Sequence, residues 1–147
     1  MSTCCHITKM WSMTGWCCMA TEKDISKYRI EQAEECLETA KDNLAISRYK
    51  AAANRSYYCI FNAMRSILAL DKVDFKKHSA VIGYFRENYI KTGIFDRKMS
   101  DIIKILFQVR NESDYNDFYV VVKNEVENQI KQAEHFLSEV KKYLKQR

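Results

Sequence analysis

The chain contains no proline and only three glycines in 147 residues, namely Gly15, Gly83 and Gly93. Tight hairpins and the turns of β-sandwiches depend on these two residue types to reverse the backbone. Between the few breaks, residues that favour helices, such as Ala, Glu, Lys, Leu and Gln, are plentiful. The sequence therefore predicts an all-α protein.

Apolar residues recur at three- and four-residue steps in five segments, which is the spacing of one helix face. The predicted helices span residues 25–44, 48–70, 79–89, 96–111 and 123–144. The second has the broadest apolar face and small residues at one end, so we expect it to be central. Short connections between helices favour an antiparallel bundle of about five helices, and a chain of this length can bury one core without disulfides or metals.

Residues 1–18 differ in composition from the rest of the chain, holding four of the six cysteines, both tryptophans and a single basic residue, Lys9. We interpret them as an atypical extension, disordered or lying on the surface of one domain at residues 19–147, and expect translation to begin naturally at Met19. A zinc site is the alternative, but adjacent cysteines are awkward paired ligands and the usual two-residue gap is missing, so we expect no metal. Its ligands would come from Cys4, Cys5, His6, Cys17 and Cys18.

The remaining cysteines, Cys36 and Cys59, fall singly on predicted helices. Isolated thiols of this kind are typical of a reducing compartment, so we expect a cytoplasmic protein. No apolar run approaches the roughly 20 residues that span a bilayer, so we expect no membrane association. The net charge of +5 is modest and its basic and acidic residues are interleaved, which permits a nucleic-acid partner without requiring one.

The polar hexapeptide from Arg110 to Tyr115 directly follows an apolar run at residues 102–109. If the helix continues, Arg110 and Asp114 lie four residues apart on one face, where they can form an ordinary ion pair that closes the helix. Alternatively, the arginine fork is suited to binding phosphate, with Asp114 and Tyr115 orienting it or a substrate hydroxyl. The spacing alone leaves both interpretations open.

His78 precedes the third predicted helix and follows two lysines. It could cap that helix, hydrogen-bond to a loop or act as a general base. His135 and His6 have no comparable setting. The sequence has no glycine-rich phosphate loop, metal-ligand spacing or catalytic triad, so we expect no cofactor.

Residues 25–145 resemble the HEPN superfamily, in particular its branch of small prokaryotic proteins. The resemblance rests on Arg110 with Asp114-Tyr115, on Lys77-His78 leading into a helix that contains Phe85, on Lys91-Thr92-Gly93, and on the segment 53–63, Ala-Asn-Arg-Ser-Tyr-Tyr-Cys-Ile-Phe-Asn-Ala. It implies a helical bundle that forms a homodimer and is commonly paired, as toxin, with a nucleotidyltransferase antitoxin.

In active relatives an arginine, followed after about four to six residues by a histidine, forms a metal-independent ribonuclease site in the dimer cleft. Arg110 matches that arginine, but Tyr115, Asn116 and Asp117 stand where the histidine would be. A phenol, with a pKa of about 10, is a poorer base at neutral pH than imidazole.

Our first hypothesis is therefore binding without efficient cleavage. The dimer cleft would hold a nucleotide or RNA through Arg110, Asn111, Asp114 and Tyr115, or the protein would engage a nucleotidyltransferase partner. The alternative is a ribonuclease toxin in which Arg110 acts with His78 or Tyr115. A purely structural bundle is the third interpretation.

Overall fold

A computed structural model describes residues 20–147 of the chain. Its helices are α1 (Glu22–Ala45), α2 (Tyr49–Leu70), α3 (His78–Phe85), α4 (Arg97–Tyr115) and α5 (Lys123–Gln146), and a π-helical turn, Arg86–Ile90, continues α3. No strand occurs within the described range. The prediction of an all-α fold with about five helices is confirmed. The predictions for residues 1–18, including the metal alternative and the start at Met19, lie outside the described residues.

Helix α1 begins three residues before its predicted start because of a capping box. The Thr21 hydroxyl accepts a hydrogen bond from the Asp24 N–H at 3.1 Å, and the Asp24 carboxylate accepts one from the Thr21 N–H at 3.0 Å. This reciprocal pair satisfies two backbone donors that a helix start otherwise leaves unpaired.

Helix α2 is the central helix of the bundle, as predicted, and contacts α1, α3, α4 and α5. Its buried side chains lie on most of its circumference, so even its polar residues must find partners inside the protein. The hydroxyls of Ser56 and Ser66 donate to the carbonyls of Ala52 and Ala63, at 3.0 and 2.6 Å. Buried Tyr57 and half-buried Tyr58 lie on this helix, which makes α2 the rigid support for what surrounds them.

The third predicted helix, residues 79–89, corresponds to α3 and the π-helical turn together. The wider turn places Tyr89 and Ile90 in the core. Gly93 has a φ of 88°, and its N–H donates to the Ile90 carbonyl at 3.0 Å. The predicted left-handed glycine after this helix is therefore confirmed.

Helix α4 ends at Tyr115 instead of at residue 111 as predicted. Neither glycine nor proline interrupts the hexapeptide, so the backbone stays helical until Asn116, which is extended with a φ of −123°. The extra turn places Arg110 and Asp114 on the same helix face.

A polar cluster ties the end of α5 to the end of α2. The Arg147 guanidinium donates to Asp71 Oδ1 at 2.7 Å, and the hydroxyls of Tyr84 and Tyr89 both donate to Asp71 Oδ2. Burial and the bond to Asp71 raise the pKa of Tyr89, so this phenol keeps its proton. The cluster holds the π-helical turn, α2 and α5 together.

Candidate functional site

Arg110 lies in the last turns of α4 and pairs with Asp114, as the four-residue spacing predicts. Its Nε is 3.0 Å from Asp114 Oδ2, and the side chains are 18% and 38% exposed. The Nε–H group forms no hydrogen bond with the carboxylate, so this contact is an ion pair. The ion-pair interpretation is correct as far as it goes, but it uses only one edge of the guanidinium.

The other edge of Arg110 faces two tyrosines of α2. Nη2 donates to the Tyr58 hydroxyl at 3.0 Å, and Cζ lies 5.5 Å and 5.6 Å from the ring centroids of Tyr57 and Tyr58. A cation within about 6 Å of an aromatic ring is attracted to the ring. The guanidinium is therefore held on several sides, in a fixed orientation.

A second guanidinium approaches Tyr58. Arg55 Cζ lies 4.8 Å from the Tyr58 ring centroid, while its Nε and Nη2 donate to the Asn54 side-chain oxygen at 3.2 and 2.8 Å. Arg110 is paired with one carboxylate, Asp114, and Arg55 forms no ion pair with a carboxylate within residues 20–147. The two arginines around Tyr58 therefore carry more positive charge than their ion pairs balance. An anionic ligand would relieve this excess.

His78, the first residue of α3, belongs to the same cluster. Its Nδ1 is 2.8 Å from the Tyr57 hydroxyl, and its ring stacks on Phe61 with centroids 4.0 Å apart. Burial lowers the pKa of His78, and the positive charges of Arg110 and Arg65 lower it further. The imidazole is therefore neutral at neutral pH.

Tyr57 connects the histidine and the arginine. Its side chain is fully buried, and burial raises the pKa of the phenol, which stays protonated. Contacts between neighbouring side chains thus connect Arg110, Tyr58, Tyr57 and His78. We call these four residues the Arg–Tyr–His cluster. Residues on three helices, α2, α3 and α4, meet in it.

The other residues of the hexapeptide lie in different positions. The Asn111 side-chain oxygen accepts a hydrogen bond from Arg110 Nη1 at 3.4 Å, so it borders the cluster. The Tyr115 side chain is 82% exposed and has no aromatic neighbour among the described residues. The structure therefore brings together Arg110, Asn111, Asp114 and His78, with Tyr115 on the surface beyond them.

The sequence analysis did not single out Tyr57 and Tyr58, whose hydroxyls contact His78 and Arg110. Their hydroxyls were the available signal, because a buried tyrosine usually needs a hydrogen-bond partner. Within residues 20–147, no group of three or more His, Cys, Asp or Glu side chains is placed to hold a metal ion. None of the helices in this range is long and apolar enough to cross a membrane.

Comparison with known proteins connects this arrangement to a family. The family model for the HEPN domain matches residues 26–143 of the sequence, which include all four residues of the Arg–Tyr–His cluster. The chain belongs to the HEPN family. The resemblance inferred from the sequence is therefore confirmed, over almost the same residues.

Similar proteins occur in Thermotoga maritima and Methanocaldococcus jannaschii. A UPF0332 protein of Thermotoga maritima is 30% identical over 126 residues, which cover 86% of this chain and 96% of the relative. A candidate toxin of Methanocaldococcus jannaschii is 31% identical over 78% of both chains. A second candidate toxin of that organism is 32% identical over 80% of this chain and 87% of its own length.

Proposed function

We propose that this HEPN protein is the toxin component of a toxin–antitoxin pair and that the Arg–Tyr–His cluster binds RNA through a phosphate group. Relatives similar over most of their length are named as candidate toxins, which supports the toxin role. We expect the target to be RNA and the protein to act in the cytoplasm.

The observation that carries the proposal is the fixed guanidinium of Arg110. It is held by the Asp114 carboxylate, by the Tyr58 hydroxyl and by the rings of Tyr57 and Tyr58, and the Arg110 side chain is still 18% exposed. A fork held in place in advance loses little side-chain entropy when it binds an oxyanion. Arg55 adds a second positive charge 4.8 Å from the centroid of the Tyr58 ring. Asn111 and Asp114 lie where they can meet a ribose hydroxyl or the edge of a base, and the exposed Tyr115 ring offers a surface for stacking.

Binding of a fluorescent single-stranded oligoribonucleotide, followed by anisotropy, tests the proposal. We expect Arg110→Ala to weaken binding by about tenfold to a hundredfold, since a charged hydrogen-bonded contact contributes roughly 1.5–3 kcal/mol. Arg97→Ala, at the exposed other end of α4, is the matched control with the same change of charge. Equal affinities of the two variants would contradict a phosphate site at Arg110.

RNA cleavage is the second candidate function, and the state of His78 favours it. The imidazole is held neutral, and its Nε2 has no hydrogen-bond partner among the described residues. If Nδ1–H donates to the Tyr57 oxygen, Nε2 carries a lone pair that can accept a proton from a ribose 2′-hydroxyl. The 2′-oxygen would then attack phosphorus and the 5′-oxygen would leave, taking a proton from water, while Arg110 stabilises the charge on the phosphoryl oxygens.

Cleavage of this kind leaves a 2′,3′-cyclic phosphate and a 5′-hydroxyl, and it needs no metal. We expect induced expression of the chain alone to arrest growth, and we expect Arg110→Ala and His78→Gln each to abolish both the arrest and the cleavage in vitro. Tyr115→Phe distinguishes the two proposed proton carriers, since it should leave cleavage by His78 intact. Harmless expression together with intact RNA would refute the enzyme and leave RNA binding to be judged by anisotropy.

We also propose two protein partners, a second copy of the chain and a nucleotidyltransferase antitoxin. Exposed apolar side chains are concentrated on α4 and the segment that follows it, and they offer a surface for self-association: Ile105, Tyr115, Phe118, Val120 and Val122. Light scattering of the purified protein tests the homodimer. Co-expression with a nucleotidyltransferase encoded beside it tests the antitoxin, which should restore growth.

A further inference from the structure

A groove of about 490 Å³ lies beside the Arg–Tyr–His cluster, where the connection from α2 to α3 passes along α2. It is lined by Phe61, Arg65, Asp74, Phe75, Lys76 and His78. His78 belongs to both features, because its Nδ1 faces Tyr57 and its ring stacks on Phe61. A ligand chain that meets the Arg–Tyr–His cluster can therefore continue into the groove past His78.

The groove carries more positive than negative charge. Asp74 is its single carboxylate, and this carboxylate is shared by Arg65 at 3.1 Å and by Arg29 at 3.5 Å. One carboxylate balances one of the two arginines, and Lys76 adds a further positive charge. Burial lowers the pKa of Arg29, and the nearby charge of Arg65 lowers it further, as expected for two cations held close together.

The start of α3 adds to the positive character of the groove. Helices usually begin with a capping side chain and acidic residues in the first turn. Here the N-cap residue, Lys77, makes no side-chain cap, and the first turn contains no acidic residue. The backbone N–H groups of His78 and Ser79 have no hydrogen-bond partner within residues 20–147. A bound anion would satisfy these donors and the helix dipole together.

An aromatic surface lies next to these cations. Phe75 is 36% exposed, and its ring packs against Tyr84 with centroids 5.8 Å apart, which fixes the ring in place. Proteins that bind single-stranded nucleic acid combine such aromatic platforms, on which bases stack, with cations that follow the phosphates. The groove has both, whereas a protein-binding groove would be expected to have a larger apolar centre.

We infer that the groove is a nucleotide subsite for single-stranded RNA, which places the base on Phe75 and a phosphate at Lys76 and the start of α3. This nucleotide is the neighbour of the one whose phosphate binds Arg110. The inference rests on the proposed RNA-binding function and extends it from one phosphate to at least two successive nucleotides.

Anisotropy with a 2′-O-methylated oligonucleotide of about ten residues, which cleavage by 2′-attack cannot consume, tests the subsite. Phe75→Leu should weaken binding by about tenfold with an unchanged salt dependence, since stacking on an aromatic ring makes a contribution of this size. Phe75→Tyr should bind as the unaltered protein does.

A second pair of variants tests the phosphate contact. Lys76→Gln should reduce the slope of log affinity against log salt by about 0.7, the value for one phosphate of a single strand. Lys131→Gln, an exposed lysine on α5, should leave the slope unchanged. Circular dichroism of every variant checks that it is folded.

The outcomes separate the two proposals. If Arg110→Ala abolishes RNA binding while Phe75→Leu and Lys76→Gln bind normally, the subsite is refuted and the proposed function stands. If the unaltered protein binds no RNA, both are refuted, even if 5′-AMP binds. If Phe75→Leu binds RNA normally but no longer co-purifies with the nucleotidyltransferase, the groove is a protein interface and the subsite is refuted.

Discussion

Replacing Tyr57 by phenylalanine removes one buried oxygen and leaves the ring in place. The hydroxyl is 2.8 Å from His78 Nδ1. The ring packs on Phe61 and on Phe107, with 5.8 Å between ring centroids in each case. Because phenylalanine keeps these ring contacts, the variant measures the hydrogen bond with almost no cavity.

The expected loss follows from what the hydroxyl leaves behind. A neutral hydrogen bond contributes about 1 kcal/mol net, and an unsatisfied buried partner raises the cost to about 1–3 kcal/mol. His78 is only half-buried, so water can reach part of its ring and compensate in part. We therefore expect Tyr57→Phe to lower the free energy of unfolding by about 1–2 kcal/mol.

Urea unfolding measures this loss. Equal m-values for the variant and the unaltered protein would show that both unfold between the same folded and unfolded states. Tyr49→Phe is the matched control, because Tyr49 is half-buried on the same helix and its hydroxyl has no hydrogen-bond partner among the described residues. Combining Tyr57→Phe with His78→Gln gives a double-mutant cycle, in which we expect a coupling energy of about 1 kcal/mol. A coupling energy of about zero would show that the two side chains do not support each other.

Three further predictions concern other parts of the structure. The pKa of His78 is lower in the folded than in the unfolded protein, so its contribution to stability is complete above pH of about 6.5 and is lost as the pH falls toward the folded pKa. Between neutral and mildly acidic pH, the free energy of unfolding measured in urea should therefore fall less in His78→Gln than in the unaltered protein. Asp71→Ala should lower the free energy of unfolding by about 1–3 kcal/mol in chemical denaturation, because two phenols lose their acceptor and Arg147 loses its carboxylate, although it keeps its bonds to the hydroxyls of Tyr89 and Tyr143. Asp101→Ala, at an exposed position of α4, is the control. Equal losses in the two variants would contradict a role of Asp71 in tying α2 to α5. Cys36 and Cys59 are buried with raised pKa values, so neither should be labelled by a thiol reagent until the protein unfolds, and rapid labelling of either, located by peptide mass mapping, would contradict the packing.

The helices were largely predictable because their apolar positions repeat at the helical period, and periodicity is a local signal. The end of α4 was missed because an exposed polar turn can equally be helix or loop, and only Asn116 departs from helical geometry. The π-helical turn was missed for a different reason: it depends on the burial of Tyr89 and on its bond to Asp71, which are distant in sequence.

Only one contact of the candidate site could be predicted from the sequence. The spacing of Arg110 and Asp114 revealed their pairing, since both lie on one helix. Nothing in the spacing could reveal that Arg110 donates to Tyr58, 52 positions away, or that Tyr57 bonds to His78. Such contacts arise from the packing of α2 against α3 and α4, which no local pattern encodes.

The position of Tyr57 on the most buried helix has a consequence for genetic experiments. If the chain is the toxin that we propose, a selection for survivors of its expression should recover two kinds of mutant, and these should map to α2 and to α4. Substitutions that remove the ring of Tyr57 or Phe61 leave a cavity in the core, so they should abolish toxicity by removing the folded protein from the cell. Changes at half-buried Arg110 should leave the protein abundant but weaken its binding of RNA. Measuring the amount of protein in each survivor therefore separates the residues that build the site from those that touch the ligand.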